Sequence, residues 1–154
     1  MMIYRVLQAL KNEKVEFAIA GGWAVSLHGA VRGTVDLDLV IVLNLLNLEK
    51  TERALLSVGL ESRLPISAKE VFSFRREFIE RKNMFAWRFV NPTNPTEIVD
   101  ILINEDLSKL KRKEIQLGSQ KVALVSVDDL IKMKRKAGRP QDLEDVKALE
   151  LLKK

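Results

Sequence analysis

Apolar and polar positions run along this chain in two rhythms. Over residues 1–13 the apolar side chains Ile3, Val6, Leu7 and Leu10 recur at helical spacing, which predicts a helix laying one stripe on a core. Residues 14–20 read as a strand through Val15, Phe17 and Ile19; Gly21-Gly22 makes a tight turn, and 23–29 a short helix stopped by Gly29. The polar loop Arg32-Gly33-Thr34 leads into a second strand that ends within 44–47. A helix over 48–58 follows, stopped by Gly59, then a short strand over 60–64 before Pro65. Ser67, with Glu70 three residues on, caps a helix running to about residue 79.

In residues 83–90, Phe85, Trp87 and Phe89 alternate with Met84, Ala86 and Arg88, the pattern of a half-buried strand. The turn residues Asn91-Pro92-Thr93-Asn94-Pro95 pair it as a hairpin with the apolar run 98–103. Asp106 caps a short helix to about 111, a last hairpin joins 113–117 to 121–125, and Ser126 opens a helix through 137. Gly138-Arg139-Pro140 breaks that helix and starts another that runs to 154.

Three acids break these patterns. Asp36 and Asp38 lie in a segment otherwise made of Val, Leu and Ile, and residues two apart in a strand share a face. Two like charges held together beside apolar neighbours need a cation or a proton, and a hard divalent ion such as Mg²⁺ prefers carboxylate oxygens. The competing account is a solvated pair at an exposed strand end. Asp100 stands alone in Ile98-Val99-Asp100-Ile101-Leu102-Ile103, and the hairpin brings it beside the Asp36–Asp38 strand. It shares a face with Ile98 and Leu102, whereas Glu97 points the other way with Val99. Ahead of the acids, the Gly21-Gly22 turn feeds a helix N-terminus, whose unpaired N–H groups suit phosphate.

Composition narrows the class. At 154 residues, 47% hydrophobic and 31% charged, the chain fits one soluble domain with a single core. No apolar run is long enough to span a bilayer, no signal-peptide pattern opens the sequence, and there is no cysteine, so the expected location is the cytoplasm. A lone histidine excludes a His-rich metal site. The formal charge of +5 favours polyanionic partners such as nucleotides or RNA.

Several side chains carry two readings each. Trp23 is a packing residue or a base-stacking platform, and His28 a helix-end hydrogen-bonding residue or a general base. Arg32 reaches a triphosphate or neutralises the acids, and Thr34 offers a hydroxyl to phosphate or caps the strand entry. Arg75, Arg76, Arg81 and Lys82 beside Phe72, Phe74 and Phe78 form a solvated basic face along a buried aromatic stripe, or a platform for an acidic acceptor. Lys134 or Lys136 reaches phosphate, while Arg139 pairs with Asp142 to fix the final helix corner.

Gly21-Gly22, a spacer of thirteen residues and Asp36-Leu37-Asp38-Leu39 resemble the signature of the polymerase-beta-type nucleotidyltransferase superfamily. The fuller string Gly-Gly-Trp-Ala…His-Gly…Arg…Thr…Asp-Leu-Asp-Leu is similar to its small stand-alone members, among them AbiE-type toxin-like proteins and lincosamide or aminoglycoside nucleotidyltransferases. The resemblance covers about the first hundred residues. It implies an α/β (α+β) nucleotidyltransferase fold: a mixed twisted sheet flanked by helices, with a C-terminal helical pair. One domain would span 1–154, with a catalytic core over 1–105 and a C-terminal hairpin and helices over 106–154.

The implied reaction moves a nucleoside monophosphate from an NTP to an acceptor hydroxyl, releasing pyrophosphate. The acceptor would be RNA or a tRNA end, a partner protein, or a small molecule, with a toxin–antitoxin role among the options. Asp36, Asp38 and Asp100 would hold Mg²⁺, with Mn²⁺ as the alternative, and act as the catalytic carboxylates. Gly21, Gly22, Arg32 and Thr34 would hold the nucleotide. Gly22 stands where many members carry Ser, so backbone N–H groups take over from that hydroxyl. A homo-oligomer or a partner protein would help to recognise the acceptor. The alternative is a non-catalytic nucleotide- or partner-binding module on the same fold.

Overall fold

The computed structural model describes residues 2–30 and 36–153. Among them are seven strands in one mixed sheet, in the order β3-β4-β5-β2-β1-β7-β6. The strands are β1 (Phe17–Ala20), β2 (Leu37–Ile41), β3 (Glu61–Ser62), β4 (Ala86–Asn91), β5 (Asn94–Leu102), β6 (Arg112–Leu117) and β7 (Gln120–Val125). Helices α1 (Met2–Asn12), α2 (Gly21–Leu27), α3 (Leu45–Ser57), α4 (Ala68–Lys82), α5 (Val127–Ala137) and α6 (Pro140–Leu152) flank it. The mixed α/β fold with a C-terminal helical pair agrees with the sequence expectation.

The middle of the sheet positions the acids. β2 runs antiparallel to β1 and parallel to β5, and the β4–β5 hairpin extends the sheet beyond β5. Leu37, Leu39 and Ile41 of β2, Val99 and Ile101 of β5, and Trp87 and Phe89 of β4 are buried. The Trp87 and Phe89 rings lie 4.6 Å apart at 58°, a tilted aromatic pair that anchors the outer hairpin. Because strand side chains alternate, Arg88, Asp100 and Asp38 share the other face. α1 packs on α3 and α3 on α4, while α2 contacts β1, β2, β7 and both C-terminal helices.

Local chemistry moves several boundaries. Lys14 adopts φ +58°, so the first strand begins after a turn, at Phe17 rather than at residue 14. Asn44 caps α3 by accepting the Asn47 N–H at 2.8 Å, starting that helix at Leu45 instead of 48. Ser67 and Glu70 form the expected capping box, and α4 runs on to Lys82. Within α4 the backbone leaves helical geometry at Phe74 (φ −112°, ψ 16°). Phe72 and Phe74 are about half exposed, so the aromatic stripe is only partly buried.

The corner between α5 and α6 is ionic and buried. Gly138 ends α5 in the left-handed conformation (φ +68°), and Pro140 opens α6. Arg139 Nε donates to Asp142 Oδ2 at 2.7 Å, the expected corner pair. Lys134 Nζ lies 3.3 Å from Asp142 and 3.0 Å from Asp145, and all three residues are buried. Removing one partner from such a cluster leaves uncompensated buried charge. Lys134→Met is expected to lower unfolding free energy by about 3 kcal/mol in urea titrations.

Candidate active site

β2 and β5 set Asp38 directly beside Asp100 in parallel register, and β4 sets Arg88 opposite Asp100. On the other flank, Ala20 at the end of β1 pairs with Asp38, and the chain turns immediately into Gly21. One line across the sheet therefore reads Arg88, Asp100, Asp38, Ala20. Asp36 precedes β2 by one residue and joins the group through Arg88. The Arg88 guanidinium grips Asp100 with two bonds, Nε to Oδ1 and a terminal nitrogen to Oδ2, both 2.9 Å. The same terminal nitrogen donates to Asp36 Oδ2 at 3.2 Å.

Gly21 closes the near side of Asp38. It takes φ +60°, and a Cβ built on it would collide with Asp38 Oδ2 and lie 2.8 Å from Asp38 Cγ. Only glycine fits both the backbone angle and the approach. Both Gly21 and Gly22 are buried at the start of α2.

Asp38 carries the electrostatic load. Burial, then the neighbouring charges of Asp100 and Asp36, push its carboxyl from an ordinary 3.8 to about 6; Lys134 and Arg88 pull the other way. Lys134 belongs to the α5–α6 corner, so the C-terminal pair reaches the site through its field. Together Lys134 and Arg88 do not offset burial and the neighbouring carboxylates, so the Asp38 carboxyl stays above its ordinary value.

The sequence-predicted residues fall as follows. Asp38 and Asp100 stand side by side, Asp36 joins them through Arg88, and Gly21 abuts Asp38; Arg32 and Thr34 lie outside the described residues. Glu97 is turned away, accepting from Arg5 at 2.8 Å and from Asn91 at 2.8 Å. His28 Nε2 donates to the Val125 carbonyl at 2.8 Å, tying α2 to β7 as a structural hydrogen bond. Trp23 packs against the core, and its buried indole N–H has no hydrogen-bond partner among the described residues. Arg88 is the site residue that sequence reasoning missed.

Asp38 and Asp100, paired in register, and Asp36, bridged to Asp100 by Arg88, are hard oxygen donors of the kind that suits Mg²⁺. Among the described residues, no group of three acid, histidine or cysteine side chains is set to enclose a metal ion. Arg88 instead holds two of the three carboxylates on itself.

Solved structures with the same architecture decide the fold. The lincosamide antibiotic adenylyltransferase LnuA, lincomycin-bound, superposes with a TM-score of 0.65 at 13% identity, covering 98% of this chain and 96% of that one. ANT(2'')-Ia in complex with adenylyl-2''-tobramycin gives 0.63 at 15% identity, covering 97% and 91%. The protein has a nucleotidyltransferase fold. A nucleotidyltransferase-like antigenic protein from Paracoccidioides brasiliensis gives 0.57 at 19% identity, covering 96% and 74%. No protein-family model and no curated protein sequence matches the chain. No helix among the described residues of this nucleotidyltransferase-fold protein is long and apolar enough to cross a membrane.

Two outcomes follow from the packing at Asp38. Gly21→Ala should destabilise the protein by about 2 kcal/mol or more, read by urea unfolding, because neither φ nor the gap accepts a methyl group. The raised carboxyl of Asp38 means the fold favours its protonated form. Asp38's own contribution to stability is therefore greatest below pH 4, falls as pH rises towards 6, and stays at the lower level above. Asp38→Asn should be more stable than the native protein by about 1–3 kcal/mol at pH 7.5, with the gap closing by pH 4 in parallel denaturation series.

Proposed function

We propose that this protein transfers a nucleoside monophosphate from an NTP to an acceptor hydroxyl and releases pyrophosphate. The observation that carries this reading is the adjacency of Asp38 and Asp100 across β2 and β5, with the Gly21 turn packed on Asp38. The reaction joins the acceptor oxygen to the α-phosphorus and breaks the bond to the β-phosphate, so it needs positioning and charge more than covalent help.

Asp36, Asp38 and Asp100 would hold Mg²⁺, which when bound supplies Lewis-acid stabilisation of phosphoryl oxygens. The chain's own residues do the rest. Gly21 and Gly22 present backbone N–H groups towards the β,γ-phosphates, and Arg32 and Thr34 complete the nucleotide contacts. Asp100 takes the proton of the attacking hydroxyl once its oxygens are free of Arg88. The acceptor is RNA or a tRNA end, a partner protein in a toxin–antitoxin pair, or a small molecule. LnuA, lincomycin-bound, shares this fold over 96% of its own chain, which supports a small-molecule acceptor.

One observation favours a second reading. Arg88 already compensates Asp100, as it would in a module that binds nucleotide without metal chemistry. Incubation with each α-labelled NTP, Mg²⁺ and, in turn, total RNA, the protein alone and lincosamide or aminoglycoside acceptors separates the two. Label should move to one acceptor class, and Asp38→Asn and Asp100→Asn should lower the rate at least about a hundredfold. No transfer to any acceptor, together with calorimetric NTP binding that ignores Mg²⁺, would leave the binding module.

A further inference from the structure

Arg88 owes its place to β4, where it alternates with the buried Trp87 and Phe89 and faces Asp100 across the hairpin. Its fork takes both Asp100 oxygens at 2.9 Å and reaches Asp36 at 3.2 Å, so one guanidinium bridges carboxylates from β5 and from the approach to β2. Asp100 is buried, whereas the Arg88 side chain is 36% exposed and has solvent to move into. Sheet register fixes Asp38 and Asp100, whereas the Arg88 guanidinium rests on its ion pairs with Asp100 and Asp36. A divalent cation placed between Asp36, Asp38 and Asp100 would stand within a few ångströms of the guanidinium, and two cations at that spacing repel.

We propose that Arg88 is a built-in competitor of the divalent cation, occupying the Asp36 and Asp100 carboxylates until metal displaces it. The inference rests on the nucleotidyl-transfer reading and adds a control on it: Arg88 sets the metal concentration at which the site assembles. Coupling of this kind is reciprocal. Without metal, Arg88 stabilises the fold by offsetting Asp36 and Asp100; with metal, it opposes binding. Bidentate charge-assisted bonds are among the stronger protein contacts, so the coupling should be readable.

The test is Mn²⁺ alone, followed by the electron paramagnetic resonance of the free ion, with thermal unfolding of the same samples in chelator and in Mn²⁺. Arg88→Met should bind Mn²⁺ about ten- to a hundredfold more tightly than the native chain. It should melt lower than native in chelator and recover most of that difference in Mn²⁺, as metal takes over from the guanidinium. Arg88→Lys, which keeps a charge but loses the fork, should fall between, and it serves as the readout if the methionine variant fails to fold. Equal or weaker Mn²⁺ binding by the variants, with tight binding by the native chain, would overturn the competition and leave nucleotidyl transfer standing. Absence of Mn²⁺ binding by every form would overturn both.

Discussion

Like charge concentrated on adjacent strands is the constraint around which the rest of this molecule is arranged. Parallel pairing of β2 with β5 sets Asp38 beside Asp100, and Asp36 enters from the residue before β2. The backbone ladder fixes that meeting, because a slip of one residue would turn each acid into the core. The cost falls on Asp38, whose carboxyl rises to about 6 as burial and its neighbours resist ionisation. Among the described residues, positive charge reaches Asp38 from Arg88 on the outer hairpin and from Lys134 at the α5–α6 corner.

That corner contributes its field at a distance because its own acids hold it. Lys134 lies between Asp142 and Asp145, and Arg139 clamps Asp142 while capping α6. Buried ion clusters of this kind seldom stabilise more than apolar packing would, but they fix geometry. Here the geometry fixed is the placement of two cationic side chains relative to Asp38, through α2, which touches both the C-terminal helices and β2. The final helices are thus electrostatic partners of the acidic strands as well as cover for the sheet.

Much of this was legible in the sequence because each signal was local and chemically unambiguous. An acid inside an unbroken run of Val, Ile and Leu marked Asp100, the glycine pair marked the turn, and Ser67 and Ser126 marked helix starts. Asn44 was misplaced because an Asn after an apolar run reads equally as a strand end or a helix cap, and only its bond to Asn47 separates the two. Arg88 was invisible for a different reason. The β4–β5 register shifts between Val90 and Asn91. Continuing the pairing of Asn91 with Asn94 without that shift would set Arg88 opposite Glu97. The irregularity hands it to Asp100 instead, and no periodicity announces a bulge.

The same irregularity links fold to chemistry. Glu97, the acid that an unshifted ladder would give to Arg88, is satisfied by Arg5 and Asn91. Asp100, without Arg88, would lose the ion pair that offsets its charge beside Asp38. The sheet cannot relieve that repulsion by moving its strands, since Leu37, Leu39, Val99 and Ile101 lock them into the core at full burial. Relief must come from something mobile and positive. A partly exposed side chain anchored at a strand, with its guanidinium on Asp100 and Asp36, meets that need in the resting protein. It also leaves the three carboxylates in place for any stronger cation that arrives.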